Sequence, residues 1–165
     1  MSVPIIGGAD GPTSVFIAGR LGGGWINIFG LGIVIAILIP NIIYAIKFRG
    51  TENKCTNKVM NVLEQIGRYG CMILLVLEIG GKGFGFASVT VFLTYLIGNA
   101  ALLLMYWIVW ILYFIGQGKW KSIALAVLPT LIFILSGVTL QYVLLVIWGV
   151  IFGVSHLYVT WQNVK

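Results

Sequence analysis

Charged side chains are scarce in this sequence. Only 4 of the 165 residues are Asp or Glu, and charged residues of both signs make up 8% of the chain. Soluble domains carry about 25% charged residues. The mean hydropathy is +1.07, and a soluble fold of this size cannot hide so much apolar surface. The composition therefore indicates an integral membrane protein built as one bundle-sized domain.

Other absences exclude whole classes of function. The chain has one His and two Cys. It has no Ser-His-Asp set, no HExxH, no Walker loop and no carboxylate pair at catalytic spacing. We therefore expect no enzymatic activity and no organic cofactor. The net charge of +6 comes from Lys and Arg in short loops, so the expected partner is the lipid bilayer and not nucleic acid.

Long uncharged runs predict five transmembrane helices, since a span needs about 20 apolar residues. The first three are predicted at 25–46, 59–79 and 86–115. The charge-free run 122–164 is about twice one span, and a turn around Ser136, Gly137 and Gln141 divides it. GQGKWK, residues 116–121, is predicted to be a loop. Pro40 and Pro129 are expected to bend their helices.

Aromatic and basic residues predict the orientation. Four aromatic residues near the end of the third helix suit an interfacial belt: Tyr106, Trp107, Trp110 and Tyr113. Seven basic residues fall on one side, predicted to be cytoplasmic: Lys47, Arg49, Lys54, Lys58, Lys119, Lys121 and Lys165. Arg20 and Lys82 fall on the other side. The chain is thus predicted to be a multi-pass protein of a bacterial-type plasma membrane, with its N-terminus outside and its C-terminus cytoplasmic.

The opening stretch, residues 1–24, differs from the predicted bundle at 25–165. PTSVFIAG, residues 12–19, is too short to span a bilayer, and Gly and Pro flank it closely. It suits a re-entrant half-helix, with Pro12 in the first turn and Asp10 or Gly11 at the cap. Transporters use such helix breaks to bind ions at membrane depth.

GGADGPTSVFIAGRLG, residues 7–22, resembles a motif of the β subunit of sodium-pumping biotin-dependent decarboxylases, the oxaloacetate, methylmalonyl-CoA and glutaconyl-CoA type. In that family the motif forms part of a broken membrane element, and its Asp is implicated in sodium binding and coupled proton movement. The resemblance implies that role for Asp10, with a loop shaped by Gly7, Gly8, Gly11, Pro12 and Thr13. This chain has one copy of the motif, whereas the family's β subunit is more than twice as long and has two repeat halves.

The residue types suit a sodium ion. Sodium is a hard cation that prefers oxygen ligands, as calcium and magnesium do. Asp10 supplies charge, while Thr13, Ser14 and the backbone carbonyls near Gly8 and Gly11 can complete a shell. The alternative is that Asp10 only caps a surface half-helix outside the membrane.

Polar residues inside the apolar runs are further candidates, because polar groups at membrane depth need partners. Glu64 and Arg68 are four residues apart and are predicted to form an interfacial ion pair, with a functional role as the alternative. Asn99 is expected either to hydrogen-bond another helix or to be a second ion ligand facing Asp10. Asn27 and Asn41 are weaker candidates.

Two features of the last helix leave alternatives open. His156 is expected to be a hydrogen-bonded packing residue, or else a pH-sensitive group. Gly149 and Gly153 form a GxxxG spacing that allows close helix contact, within one chain or between two copies.

The sequence thus favours a sodium-binding membrane protein, either a transporter or a subunit of a larger or homo-oligomeric membrane assembly. One alternative is a non-transporting membrane scaffold or binding module that keeps the motif as a folding or docking element. Another is a pocket for an apolar or aromatic ligand, suggested by six Trp and seven Tyr.

Overall fold

A computed structural model describes residues 25–48, 53–77, 79 and 86–165. This part of the chain forms five helices, each long and apolar enough to cross a membrane, as the sequence predicts. They are α1 (Ile28–Lys47), α2 (Lys58–Val76), α3 (Val89–Ile115), α4 (Lys119–Thr139) and α5 (Val143–Val164). The predicted half-helix at 12–19 lies outside the described residues.

Polar side chains fix where the first three helices begin. The side-chain oxygens of Asn27, Asn57 and Ser88 each accept a hydrogen bond from the backbone N–H three residues later. These N-caps satisfy backbone donors that have no partner within the helix. The apolar runs therefore become helical only after a capping residue, and α1 and α3 begin about one turn later than the runs themselves.

Successive helices run in opposite directions. The backbone N–H of Lys54, just before α2, donates to Oδ1 of Asn163 near the end of α5 at 2.7 Å. At the other end of the bundle, the N–H of Asn27 donates to the carbonyl of Val76 at 2.8 Å. We call the end of the bundle where Lys54 contacts Asn163 the lysine-rich end. The helix ends and loops that meet there carry all six lysines in the described ranges: Lys47, Lys54, Lys58, Lys119, Lys121 and Lys165.

Small residues allow α5 to pack closely inside the bundle. Helix α5 packs against α2 and α4, and α4 packs against α3. Gly149 and Gly153 are buried and face α4, where a Cβ at Gly153 would overlap the side chain of Thr130. The GxxxG spacing therefore serves helix contact within the chain, which is one of the two alternatives that the sequence left open.

Pro40 lies inside α1 and cannot donate the backbone hydrogen bond that Ala36 would otherwise accept. Nε1 of Trp107 on α3 donates to the Ala36 carbonyl instead, at 3.1 Å. The carbonyl released by the proline is thus used to join two helices.

The sequence prediction was wrong at two turns. Lys119 and Lys121 lie in the first turn of α4, so the loop after α3 is only 116–118. Ser136 and Gly137 are helical and buried, and α4 continues to Thr139. The turn centres on Gln141, the third residue that the sequence named for it, and its φ is 53°. A glycine can lie within a helix where close packing leaves no room for a side chain, as well as in a turn. Composition alone therefore placed this turn too early.

The outward faces of the helices are apolar along their length. In α1 the exposed residues include Ile35, Ile39 and Ile42, and in α3 they include Ile97, Leu104 and Ile111. Helix α2 places Val59, Val62 and Ile66 outward while Glu64 is buried. This arrangement is the reverse of a surface helix in a soluble protein, which turns its polar side to solvent.

Candidate functional site: a buried polar row and a basic cavity

Most of the ion site expected from the sequence falls outside the described part of the chain. This applies to Gly8, Asp10, Gly11, Thr13 and Ser14, so their role in sodium binding stays a prediction. Asn99 is the one expected ligand within the described ranges, and it lies in α3 with 2% of its surface exposed.

Four buried polar side chains, which we call the buried polar row, lead into the bundle from the end opposite the lysines. They are Asn27, Tyr95, Asn99 and Ser136, all of them 5% exposed or less. Nδ2 of Asn27 donates to the Tyr95 hydroxyl at 3.3 Å. Ser136 Oγ on α4 donates to Oδ1 of Asn99 at 3.2 Å. The row therefore links α1, α3 and α4.

Asn99 is well satisfied within this row. Its Nδ2 donates to the Tyr95 carbonyl one turn earlier at 2.8 Å, while its Oδ1 accepts from Ser136. Such a hydrogen bond between helices is what the interhelical alternative expects. Oδ1 can accept from a second donor or contact a cation, because a carbonyl oxygen has two lone pairs.

A second cluster of polar side chains involves α2 and α5. Arg68 Nη2 donates to Oε1 of Glu64, which confirms the predicted pair. The sequence missed its third member. Nδ1 of His156 lies 3.1 Å from the same Oε1, close enough for an ion pair when the imidazole is protonated. Nδ1 is buried, and this carboxylate is the polar group that the structure places against it. The contact suits both alternatives for His156, a packing residue and a pH-sensitive group.

Beside this cluster is a cavity of about 600 Å³, which we call the basic cavity. All five helices and both loops at the lysine-rich end contribute to its lining. The polar and aromatic lining residues are Asn41, Tyr44, Asn53, Lys54, Arg68, Trp110, Tyr113, Gln117, Ser122, His156, Thr160 and Asn163. This volume lies within the range of small-molecule sites in proteins.

Aromatic rings form one wall of the basic cavity. Trp110 lies 5.4 Å from Tyr44 and 5.7 Å from Tyr113, measured between ring centroids. Trp110 is 6% exposed, and its Nε1 is buried without a hydrogen-bond partner among the described residues. Tyr106, 2% exposed, accepts a 2.7 Å hydrogen bond from Asn41 Nδ2. The predicted aromatic belt is therefore wrong for Trp110 and Tyr106, because this face of α3 turns inward.

A smaller cavity of about 110 Å³ lies next to the basic cavity and shares Asn41, Arg68, Leu125 and His156 with it. Its remaining lining is mainly apolar: Ile37, Leu38, Tyr69, Met72, Tyr106, Pro129, Phe133 and Phe152. Arg68 and His156 line both cavities, so a molecule that reaches from one to the other would place a polar group beside the arginine and an apolar group among these side chains.

Within the described ranges, no three His, Cys, Asp or Glu side chains are grouped so that they could hold a metal ion. Cys55 and Cys71 are both free and buried. Comparison of the chain with protein-family models, with curated proteins and with solved structures finds no match.

Proposed function

We propose that this chain is a multi-pass membrane protein that binds sodium through its N-terminal segment. It acts as a transporter or as the membrane subunit of an ion-translocating assembly. Its N-terminus lies outside a bacterial-type plasma membrane and its C-terminus in the cytoplasm. The observation that carries the ion-binding part is the buried polar row, which begins at Asn27, directly after the N-terminal segment.

Three features support insertion in a bilayer. The outward faces of all five helices carry large apolar side chains, which favour lipid over water. The described lysines collect at one end, as the positive-inside rule expects for the cytoplasmic side. Glu64 is buried against Arg68 and His156, which is how membrane helices accommodate an acidic group.

The buried polar row supports a cation route because it provides oxygen atoms where a bundle of this composition would otherwise be apolar. The side chains of Asn27, Tyr95, Asn99 and Ser136 all carry an amide or hydroxyl oxygen. In our proposal the Asp10 carboxylate supplies the charge, and Asn99 is a ligand from a second element. Polar groups that only join helices are the competing explanation, and Asn99 already has such a bond.

Sodium-dependent stability tests the proposal. Purified protein in detergent should unfold at a higher temperature in sodium chloride than in potassium chloride of equal concentration. Asp10→Asn should remove this difference, because the amide cannot balance the charge of the ion. Glu52→Gln, which removes one negative charge from the loop predicted to be cytoplasmic, is the matched control and should keep it. Loss of the difference in both variants, or in neither, would contradict the assignment to Asp10.

Transport is tested separately in sealed liposomes. Protein-dependent uptake of radioactive sodium that Asp10→Asn abolishes supports a transporter. Sodium-dependent stabilisation without flux supports a subunit that needs partners. The absence of both favours the non-transporting scaffold, in which the N-terminal motif serves folding or docking.

A further inference from the structure

We propose that the basic cavity binds a small organic anion, a carboxylate or phosphate ester with a compact apolar group. The acidic group contacts Arg68, and the apolar group occupies the adjoining smaller cavity. This site lies at the lysine-rich end, away from the buried polar row, so the inference does not depend on sodium binding.

Unused hydrogen-bond donors on Arg68 indicate the chemistry of the ligand. Arg68 has five N–H donors, of which the structure assigns one nitrogen to Glu64. Its side chain is 34% exposed and lines both cavities. A planar guanidinium matches the oxygens of a carboxylate or phosphate, so a ligand with such a group satisfies its remaining donors.

Charge points the same way. Among the residues that the structure describes, the cavity lining includes Arg68 and Lys54 but no Asp or Glu. Glu64 contacts Arg68 from beside the cavity, so it offsets the arginine charge until a ligand arrives. An anion in the cavity then competes with Glu64 for the guanidinium. Removing the charge of Arg68 should therefore weaken binding of the anion, whereas removing the charge of Glu64 should strengthen it.

The shape favours a compact organic anion over a bare inorganic ion. The smaller cavity, with Met72, Pro129, Phe133 and Phe152 in its wall, has room for a short alkyl chain or a single ring. The aromatic wall formed by Tyr44, Trp110 and Tyr113 can also pack against a flat ligand. Apolar walls with a few convergent polar groups are typical of small-molecule sites.

Potassium benzoate is a suitable probe, measured by thermal unfolding in detergent at constant total potassium. Benzoate should raise the unfolding temperature of the unaltered protein in a saturable way. Neutral benzamide, which has the same ring, and potassium phosphate, which lacks it, should have much smaller effects. Stabilisation by benzamide equal to that by benzoate, or by anionic phosphatidylglycerol alone, would overturn the proposal.

Two variants of the ion pair assign the site. Arg68→Gln should abolish benzoate binding, because it removes the guanidinium that holds the carboxylate. Glu64→Gln should tighten binding, because the neutral amide competes less for Arg68.

Trp161→Phe is the control for a change away from both cavities, since Trp161 is 54% exposed and lines neither of them. This variant should bind benzoate like the unaltered protein. If Glu64→Gln and Arg68→Gln weaken binding alike, the cluster is purely structural and the proposal fails. The Glu64→Gln result decides the question even if Arg68→Gln does not fold, because unchanged or weaker binding by that variant contradicts the competition for Arg68.

Discussion

Asn99 is a single amide group that joins α3 to α4 in a mainly apolar interior. Its Oδ1 is the acceptor for the hydroxyl of Ser136, and both side chains are at most 2% exposed. Hydrogen bonds between helices in membrane proteins contribute about 0.6 kcal/mol on average. The same oxygen is the expected second ligand for sodium, so the structural and ion-binding roles of Asn99 must be measured apart.

A double-mutant cycle separates these roles. Asn99→Ala and Ser136→Ala should each destabilise the protein, and the double variant should lose less than the sum, by about 0.6 kcal/mol. Reversible unfolding in detergent measures this coupling energy in potassium chloride. Repeating it in sodium chloride tests ligation, since Asn99→Ala should then also reduce the sodium-dependent stabilisation. A variant that keeps this stabilisation in full would restrict Asn99 to joining helices.

At the scale of the element, the end of α4 has a backbone shape that its sequence does not favour. The N–H of Tyr142 donates to the Gly137 carbonyl and the N–H of Gln141 to that of Val138, the two bonds of a Schellman motif. Gln141 occupies the left-handed position with φ of 53°. Glycine is usual there because a Cβ is unfavourable in this conformation.

Gln141→Gly should therefore stabilise the protein, by about 0.5–1 kcal/mol. The side chain of Gln141 is exposed, so the substitution removes no buried contact. Gln141→Val should have the opposite effect, because a β-branched side chain is still less favourable at positive φ. Chemical unfolding in detergent measures both changes. Equal stability of the two variants would mean that the turn has a different backbone in solution.

The rotation of each helix about its axis is a further property at this scale. In α2 the sequence predicts that Glu64 and Arg68 share a face, and they do. It does not predict that the face turns inward to His156, because α2 has apolar residues on its other side as well. In α3 apolar residues surround the helix, so the sequence pattern could not show that Trp110 and Tyr106 face the interior.

At the scale of the whole molecule, the alternating helices place the chain end at 165 and the turn at Gln141 on opposite sides of the bundle. Green fluorescent protein fused after Lys165 should fluoresce in a bacterial host, since that end is expected to be cytoplasmic. Alkaline phosphatase fused at the same point should be inactive, because it needs an oxidising compartment.

A chain truncated after Gln141 and carrying the same two fusions is the control. Its phosphatase should be active and its fluorescent protein dark. The reverse pattern for both pairs would show the opposite orientation, and activity of both reporters at one point would show mixed insertion.

The sequence by itself determined the five helices, their order and the collection of lysines at one end. Each of these follows from local runs of apolar residues and the charges between them. Only the tertiary structure decided which polar groups of different helices meet: Asn99 with Ser136, and the Glu64–Arg68 pair with His156. The physical reason is that the sequence of a helix with apolar residues on nearly all sides does not show which side faces the interior of the bundle. Close packing at positions such as Gly153 decides which face turns inward.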